Sequence, residues 1–503
     1  MKKRLLIAGV GTLALLGAGL STVAANADTN ATGTVPTASS AVAAAGDRPN
    51  IVFVLTDDLS WNLVKHMPAV AQLQSEGMTF SNFVVSDSLC CPSRSSIFTG
   101  EFPHDTRVFT NTSPDGGYGV FHNRGEEANT FATALNRRGY RTAFMGKYLN
   151  GYTPSCKAGA PPAVVPPGWD EWDVAGNAYK EYGYCLAENH KTVKYGHQPK
   201  DYLVDVMSRK GEAFVRQAAG ADKPFLLELA TFAPHAPARP APRDEDAFPG
   251  LEAPTPKAFN KTPSKAPGWL ASRTKLSAAD KKEINRKFRH RAQAVQSVDR
   301  MISSMRQTLR DAGVANDTYF VFGSDNGFHM GEYRLMPGKQ TAFDTDINVP
   351  LVVVGPRIRA GSTSNEITSN VDLAPTFQRL GGAPVEDRVD GHSLVGLLHG
   401  DAGQNWRNVT LVEHHGDNND AADPDLQAAA AGNPPTYDAI RSKTYTYVEY
   451  ANGQREFYDL QSDPQQLHNV AGTLSASRRA ELHATLEALK NCHTGSACWQ
   501  AGH

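Results

Sequence analysis

The fold is decided by residues 50–58, which read Asn50-Ile-Val-Phe-Val-Leu-Thr56-Asp57-Asp58. A continuous apolar, β-branched run of this length is typical of a strand that is covered on both faces. The run ends abruptly in two carboxylates, so the sequence places acidic side chains at the carboxyl end of a buried strand. Similar apolar runs predict four further strands at residues 142–145, 224–230, 319–322 and 350–354.

Helical patterns, with apolar residues spaced three and four apart, lie between these strands at residues 130–138, 201–219, 278–311 and 372–380. Strands that alternate with helices predict an α/β fold with a large mixed, mostly parallel sheet sandwiched by helices. Such sheets bind ligands beyond the carboxyl ends of their strands. The polar residues that follow the predicted strands should therefore share one location.

The carboxy-terminal part has a different pattern. Residues 409–412, 445–450 and 454–458 predict strands, Asn452-Gly453 predicts a hairpin turn, and residues 475–490 predict a helix. These elements indicate a smaller antiparallel sheet plus helix. Two segments lack periodicity: residues 234–267, predicted to cross the surface over the site, and the polar, Ala-rich loop 416–435.

The amino-terminal segment has the order of a secretory signal peptide. Lys2, Lys3 and Arg4 precede an apolar run over residues 5–20, and small residues follow up to Ala27. We expect a signal peptide over 1–27, a flexible linker over 28–46, a catalytic α/β domain over 47–404 and a smaller α+β domain over 405–503. The product should be secreted, with no membrane association after cleavage.

The charge balance limits the choice of partners. With 50 Lys plus Arg against 52 Asp plus Glu, the formal net charge of the 503 residues is -2, and loss of the three basic residues of the signal peptide lowers it to -5. Neither value favours nucleic acid or an anionic membrane as a partner. Any anion must therefore be bound by a local cluster of positive charge.

The densest motif is Cys90-Cys91-Pro92-Ser93-Arg94, which is followed by Thr99-Gly100. A Cys-x-Pro-x-Arg core of this kind predicts a loop that leads into a helix amino terminus, where backbone N–H groups favour an anion. A buried structural cysteine pair and a redox site are the alternatives. Zinc is disfavoured because no further Cys or His has ligand spacing here.

The motif resembles the signature of the sulfatase family, the formylglycine-dependent enzymes of the alkaline phosphatase superfamily. The resemblance extends over most of the chain after the signal peptide. Its other parts are residues 50–58, Gly146-Lys147-Tyr148, residues 233–237 around His235, Ser324-Asp325-Asn326-Gly327, Gly338-Lys339, and residues 458–464 with Asn469.

The resemblance implies a role for each motif. Cys90 would be oxidised to formylglycine by a separate maturation enzyme, and its hydrate would attack sulfur and later expel sulfate. Asp57, Asp58, Asp325, Asn326 and the modified Cys90 would bind Ca²⁺, with Mg²⁺ as the alternative. Lys147 and Lys339 would grip the sulfate, Arg94 would hold the diol, and His235 would protonate the departing alcohol.

One segment departs from the common family pattern. Many members carry Lys-x-His, whereas this chain reads Lys147-Tyr148-Leu149-Asn150. A branch similar to N-acetylglucosamine-6-sulfatases shares this form, and Asn150 is predicted to contact substrate. No residue is assigned as the base for sulfate release, although His104 and His329 are candidates.

The leading hypothesis is a secreted sulfatase that hydrolyses a sulfated small molecule or glycan, such as N-acetylglucosamine 6-sulfate, to alcohol and inorganic sulfate. The alternatives are an arylsulfatase acting on phenolic sulfates, a phosphate or phosphonate ester hydrolase, and a non-catalytic sulfated-glycan binding protein with unmodified Cys90.

Four cysteines lie outside the motif, and they allow three pairings. Sequence proximity favours Cys156 with Cys185 and Cys492 with Cys498.

Overall fold

The computed structural model describes residues 48–221, 223–401, 405–416, 419–421, 423 and 425–503. The predicted signal peptide 1–27 and all of the linker 28–46 lie outside these residues. Among the described residues, no helix combines the length and the apolar character needed to cross a bilayer.

The described residues form sixteen strands, numbered in chain order: β1 Asn50–Thr56, β2 Met78–Phe80, β3 Phe83–Val84, β4 Arg141–Lys147, β5 Glu171–Ala175, β6 Cys185–Glu188, β7 Lys191–Lys194, β8 Phe225–Ala230, β9 Thr318–Ser324, β10 Leu351–Val354, β11 Ser362–Ser364, β12 Thr368–Ser369, β13 Val409–His414, β14 Tyr437–Ser442, β15 Tyr445–Tyr450 and β16 Arg455–Asp459.

The same residues form fourteen α-helices: α1 Trp61–Val64, α2 Pro68–Glu76, α3 Cys90–Thr99, α4 Pro103–Thr106, α5 Gly117–Asn123, α6 Phe131–Arg137, α7 Leu203–Ala219, α8 Gly268–Ala271, α9 Ala278–Asp311, α10 Asp344–Ile347, α11 Leu373–Leu380, α12 Val395–His399, α13 Ala476–Lys490 and α14 Gly495–Ala501. Short 3₁₀ turns connect several of them.

Ten strands form one large sheet in the order β11-β2-β10-β9-β1-β8-β4-β5-β6-β7. Strands β9, β1, β8, β4 and β5 are parallel neighbours at its centre, while β10, β6 and β7 run antiparallel to their neighbours. The predicted mixed, mostly parallel sheet is therefore confirmed. The carboxyl ends of the central strands lie along one edge of the sheet.

Strand β1 shows why the sheet is covered on both faces. Val52 and Val54 pack in one apolar cluster with residues of α2, α7 and α9. Ile51, Phe53 and Leu55 point the other way, into a second cluster with residues of α3, α6 and α11. Because successive side chains of a strand alternate between faces, a strand buried on both faces needs an unbroken apolar run.

The small sheet has the order β13-β14-β15-β16 and is antiparallel throughout. One face packs on helix α13 through Leu482, Leu486 and Leu489. Residues of the other face, among them Val412 and Val448, belong to the second apolar cluster of the large sheet. The predicted smaller sheet plus helix is confirmed, and the domain boundary at residue 405 stays a prediction.

Helix limits agree closely with the sequence patterns because cap residues mark them. Thr130, Ser277 and Ser475 directly precede α6, α9 and α13, and each side chain accepts a hydrogen bond from a backbone N–H of the first turn. Several strands were not predicted, namely β2, β3, β5, β6, β7, β11, β12 and β14. Most of them are short or lie towards the sheet edges, and β14, Tyr-Asp-Ala-Ile-Arg-Ser, interrupts its apolar residues with charged ones.

Both disulfides favoured by sequence proximity are present, Cys156–Cys185 and Cys492–Cys498. Cys90 and Cys91 are free and buried. The cysteines therefore divide into two structural pairs and one reduced pair in the densest motif.

Candidate active site

The predicted site residues meet at the carboxyl edge of the central strands. Asp57 and Asp58 follow β1, Lys147 ends β4, and Asp325 and Asn326 follow β9. His235 lies in the loop after β8. Because β9, β1, β8 and β4 are adjacent and parallel, these residues come together although up to 269 positions separate them along the chain.

Cys90 is the first residue of α3, as the motif predicted, and the whole helix is buried. Its Sγ lies 3.2 Å from Asp57 Oδ1 and 2.8 Å from Lys339 Nζ. Burial raises the pKa of the Cys90 thiol well above its ordinary value, and the charge of Asp57 adds to this effect. An unmodified Cys90 is therefore a protonated thiol and a poor nucleophile at neutral pH.

Each lysine forms an ion pair with one carboxylate at the end of β1. Lys147 Nζ lies 2.5 Å from Asp57 Oδ2, and Lys339 Nζ lies 2.7 Å from Asp58 Oδ1. Burial alone would lower the pKa values of both lysines, but the neighbouring carboxylates outweigh it and raise them well above the ordinary value. Both ammonium groups are therefore charged, and they form the local positive cluster that an anion requires.

Glycines determine where these lysines can sit. Gly146 has a φ of +112°, and a Cβ there would lie 2.0 Å from the carbonyl oxygen of Ala230 on the neighbouring strand. A Cβ on Gly338 would lie 2.3 Å from Gln427 Oε1. Any larger residue before either lysine would displace the adjacent chain, which explains the two Gly-Lys pairs.

Asp325 connects the metal motif to the cysteine helix. Its Oδ2 accepts a hydrogen bond from Arg94 Nε at 2.7 Å, and its Oδ1 accepts from the backbone N–H of Asp58 at 3.1 Å. Burial and the charge of Asp57 raise the pKa of Asp325 to about 6.

Arg94 donates hydrogen bonds to groups at the ends of two strands, β9 and β4. Besides Asp325, its guanidinium donates to the carbonyl oxygen of Lys147 through Nη1 at 2.7 Å. Nη2 is buried and has no hydrogen-bond partner among the described residues. Its contact with the modified residue 90 stays a prediction, for which this free nitrogen is the available donor.

The donor set fits a divalent cation. Ligand atoms of Asp57, Asp58, Cys90 and His235 lie within 4.8 Å of one another. Asp58 Oδ2 and the side-chain oxygen of Asn326 are buried without a hydrogen-bond donor among the described residues. Buried carboxylate and amide oxygens of this kind suit Ca²⁺ or Mg²⁺ and carry an energetic cost if they remain uncompensated.

Asp58 also has an unusual backbone. Its φ is +65°, in the left-handed region, which Asp tolerates better than most residues. Departures of this kind cost of order 1 kcal/mol and concentrate at functional sites.

His235 lies where its ring can reach the cluster. Its Nδ1 donates to the carbonyl oxygen of Ala236 at 2.7 Å, and its Nε2 lies 2.5 Å from Asp425 Oδ1 and 3.7 Å from Asp58 Oδ2. Burial lowers the pKa of His235, but the charges of Asp425 and Asp58 outweigh it and raise the pKa to about 9. The imidazole is therefore protonated and can give a proton to an alcohol oxygen.

Three cluster residues were not predicted from the sequence. Asp425, from the loop 416–435, contacts His235, Lys339 and Cys90. The ring of Tyr179 lies 4.5 Å from that of His235 and 5.1 Å from Lys147 Nζ. The side-chain oxygen of Asn111 accepts from the backbone N–H of Cys91 at 3.0 Å. No local pattern surrounds these residues, so the sequence carried no signal for them.

Other candidates lie at the margin of the cluster or outside it. Asn150 donates to the hydroxyl of Tyr179 at 3.2 Å, which places it one residue away from His235. His104 hydrogen-bonds to Glu413 and to a backbone carbonyl, and His329 to Asp346 and to another carbonyl. Since both ring nitrogens of each histidine are engaged there, neither contacts Cys90, and no base for sulfate release is assigned.

A cavity of about 1350 Å³ opens beside the cluster. Asp58, His235 and Asp425 form part of its lining, together with Ala236–Pro240 from the predicted surface segment 234–267 and several basic residues of α9. The cavity exceeds the usual range for a single drug-sized ligand, roughly 300–1,000 Å³. It therefore gives bulky substrates access to the site.

Known proteins are similar to this chain in sequence. The model of the Sulfatase family matches residues 49–383, and that of the carboxy-terminal region of N-sulphoglucosamine sulphohydrolase matches residues 331–492. Human N-acetylglucosamine-6-sulfatase is 34% identical over 492 aligned residues, which cover 92% of this chain and 88% of the human protein.

Solved structures share the fold. A protein in complex with its substrate D-glucosamine-2-N,6-O-disulfate has a TM-score of 0.73 and 22% identity, covering 88% of this chain and 97% of the other. The phosphonate monoester hydrolase of Agrobacterium radiobacter has a TM-score of 0.67 and 21% identity, covering 90% and 96%. Because the family match spans most of the chain, and a relative of this identity covers nearly all of it, the chain belongs to the sulfatase family of sulfuric ester hydrolases.

Proposed function

We propose that this sulfatase hydrolyses the sulfate monoester of a carbohydrate, such as N-acetylglucosamine 6-sulfate, to an alcohol and inorganic sulfate. The observation that carries the proposal is the buried cluster around Cys90. Lys339 Nζ lies 2.8 Å from Cys90 Sγ, while Lys147 and His235 pair with Asp57 and Asp425, the two carboxylates that also contact this sulfur. The choice of substrate is supported by the name of the human relative and by the glucosamine sulfate bound to the solved relative.

Two groups complete the proposed site. Formylglycine, made from Cys90 by a maturation enzyme, supplies a hydrated aldehyde as the nucleophile. Asp57, Asp58, Asp325, Asn326 and the modified residue 90 would hold Ca²⁺, or Mg²⁺ as the alternative, which supplies positive charge to the anionic oxygens. The buried oxygens of Asp58 and Asn326 that lack donors support this ligand set.

Side chains of the protein supply charge neutralisation, positioning and proton donation. Lys147 and Lys339 neutralise the negative charge of the sulfate oxygens. Further negative charge develops on the departing alcohol oxygen during the reaction. Arg94 keeps Asp325 and the end of β4 in register with the helix that carries residue 90. His235 gives its Nε2 proton to the departing alcohol oxygen, and this transfer matters most for alcohols that leave poorly as anions.

The margin of the site is proposed to contact the sugar. Asn150 lies at this margin, where it donates a hydrogen bond to the hydroxyl of Tyr179, whose ring lies against His235. We also propose that the protein is secreted, because residues 1–27 have the order of a signal peptide.

Mass spectrometry of the peptide that contains residue 90, from protein made in its own host, tests the nucleophile. We expect the mass of formylglycine, and a thiol there would contradict the catalytic proposal. Cys90→Ala should abolish sulfate release while the protein stays folded. Cys91→Ala is the matched control, since Cys91 contacts Asn111 through its backbone N–H, which alanine keeps.

Release of inorganic sulfate from sulfate esters, and of the alcohol from a phosphonate monoester, tests the substrate class. Equal concentrations of N-acetylglucosamine 6-sulfate, 4-nitrophenyl sulfate and a phosphonate monoester should be compared with the same enzyme. The proposal expects the sugar sulfate to have the highest kcat/KM. A preference for the aryl sulfate would indicate an arylsulfatase, and a preference for the phosphonate would contradict the proposed reaction.

A further inference from the structure

Asp425 lies in the cluster, but the proposed reaction gives it no role. Its side chain is 5% exposed. Oδ1 lies 2.5 Å from His235 Nε2, while Oδ2 lies 2.8 Å from Lys339 Nζ and 3.3 Å from Cys90 Sγ. The carboxylate therefore borders the point where the leaving oxygen must meet its proton donor.

The segment that carries Asp425 is held on both sides. Asn111 Nδ2 lies 3.4 Å from Asp425 Oδ2. Two residues further on, Gln427 Oε1 accepts from the backbone N–H of Lys339 at 3.0 Å, and the carbonyl of Ala430 accepts from Met336 N at 2.8 Å. These bonds join the segment to the loop that carries Lys339, so Asp425 is a fixed part of the wall of the site.

Substrate binding changes the partners of this carboxylate. A sulfate ester recruits Lys339 for its terminal oxygens and His235 for its leaving oxygen. These are the two charged donors of Asp425, and their loss leaves it the long contact of 3.4 Å from Asn111 Nδ2 and that of 3.3 Å from Cys90 Sγ. A buried carboxylate that loses its donors carries a large cost unless new donors replace them. In the proposed reaction the leaving alcohol meets His235 Nε2, which lies 2.5 Å from Asp425 Oδ1, so the alcohol is the group placed to supply new donors.

The chemical groups of the alcohol then decide whether Asp425 regains a hydrogen-bond donor. A sugar carries several hydroxyl groups and, in an N-acetylated sugar, an amide N–H. In N-acetylglucosamine 6-sulfate the nearest of these to the ester is the C4 hydroxyl, on the ring carbon next but one to C6, and it can donate to Asp425. A phenyl or cyclohexyl ring carries none and leaves the carboxylate uncompensated. Sites built to bond a hydroxyl or N–H group discriminate strongly against analogues that lack it.

We infer that Asp425 is a specificity-determining residue, whose carboxylate accepts a hydrogen bond from a hydroxyl or N–H group of the alcohol and so selects sugar sulfates over donor-free sulfates. This inference rests on the proposed function and adds a residue from the carboxy-terminal part of the chain to it. It also gives the described part of the loop 416–435, from residue 425 onward, a role in the site.

The test compares two substrates that share a primary alkyl leaving group, N-acetylglucosamine 6-sulfate and cyclohexylmethyl sulfate. kcat/KM for both is measured with the wild-type enzyme, D425N and D425A. We expect both variants to lose about 10- to 100-fold on the sugar sulfate, the effect of a hydrogen bond to a charged group. The loss on cyclohexylmethyl sulfate should stay within about threefold, by the same reasoning. E245Q is the matched control, because Glu245 lines the same cavity at an exposed position, and it should change neither value.

Each other outcome overturns the inference. Equal losses on both substrates would make Asp425 a positioning residue for His235, and equal gains would make its carboxylate a competitor of the sulfate. A sugar-selective wild type that is unaffected in D425N refutes this inference alone. A wild type that hydrolyses cyclohexylmethyl sulfate but no sugar sulfate refutes both the inference and the carbohydrate assignment.

Discussion

Replacing Glu228 with Gln should remove a strong pH dependence of stability. Glu228 lies on the central strand β8, fully buried, opposite Phe53 of β1 and Phe144 of β4. Neither of its carboxylate oxygens has a hydrogen-bond partner among the described residues. Burial therefore raises the pKa of Glu228 from its ordinary 4.5 to about 8, although the charge of Arg94 opposes the change.

The direction in which the free energy of unfolding changes with pH follows from proton binding. Between pH 4.5 and 8 the folded protein holds a proton on Glu228 that the unfolded chain releases, so the free energy of unfolding falls as the pH rises through this window. The whole pKa difference corresponds to about 5 kcal/mol. About 3.5 kcal/mol of it is lost between pH 5 and pH 8. Gln has no proton to lose, so E228Q lacks this slope.

Thermal unfolding at pH 5, 6, 7 and 8 measures the effect. For a chain of this size, the entropy of unfolding makes 1 kcal/mol worth roughly 1 °C in Tm. The Tm of E228Q relative to the wild type should thus rise by about 3 to 4 °C from pH 5 to pH 8. Glu252→Gln, at an exposed position, is the control and should show no such change. Parallel Tm curves for E228Q and the wild type would refute the reasoning.

Four further changes test other parts of the structure. Asp325→Ala should lose bound divalent metal, measured by elemental analysis, together with activity, and a variant with normal metal content would contradict the ligand assignment. His235→Gln should slow hydrolysis of a primary alkyl sulfate by about 10²- to 10⁴-fold but that of 4-nitrophenyl sulfate far less, because nitrophenolate leaves without a proton; equal losses would remove the acid role. The double variant Cys156→Ser with Cys185→Ser opens a link between residues 29 positions apart and should lower the free energy of unfolding by about 3 to 4 kcal/mol, as measured by denaturant titration. Gly146→Ala should lower both Tm and activity, since its Cβ would lie 2.0 Å from a carbonyl oxygen of β8, and unchanged values would show that β4 can move away.

Much of the site was predictable because its residues follow local patterns. Asp57 and Asp58 come directly after an unbroken apolar run, and Asp325 and Asn326 follow another such strand. The topological rule that parallel strands end at one edge then brings the two pairs together without knowledge of any contact. Lys147 was predicted from the resemblance to the sulfatase family, and the structure places it at the end of β4.

Other features had no local pattern to predict them. Strand β14 has Asp438 and Arg441 among its apolar residues, and it forms because β13 and β15 pair with it on both sides. Arg441 is accommodated by Asp344, 97 positions away. Pairing with neighbours outweighs strand propensity in such a case.

The sequence by itself determined the α/β class, the order of the central strands' polar ends, the cysteine motif and the favoured disulfide pairs, because periodicity, strand ends and spacing are local properties of the chain. Only the tertiary structure decided that Asp425 reaches His235 across 190 positions, that Tyr179 covers Lys147, and that Arg94 binds Asp325. Contacts of this kind depend on how distant loops pack over the sheet edge, and burial makes each of them strong while no periodic pattern records which partner is met.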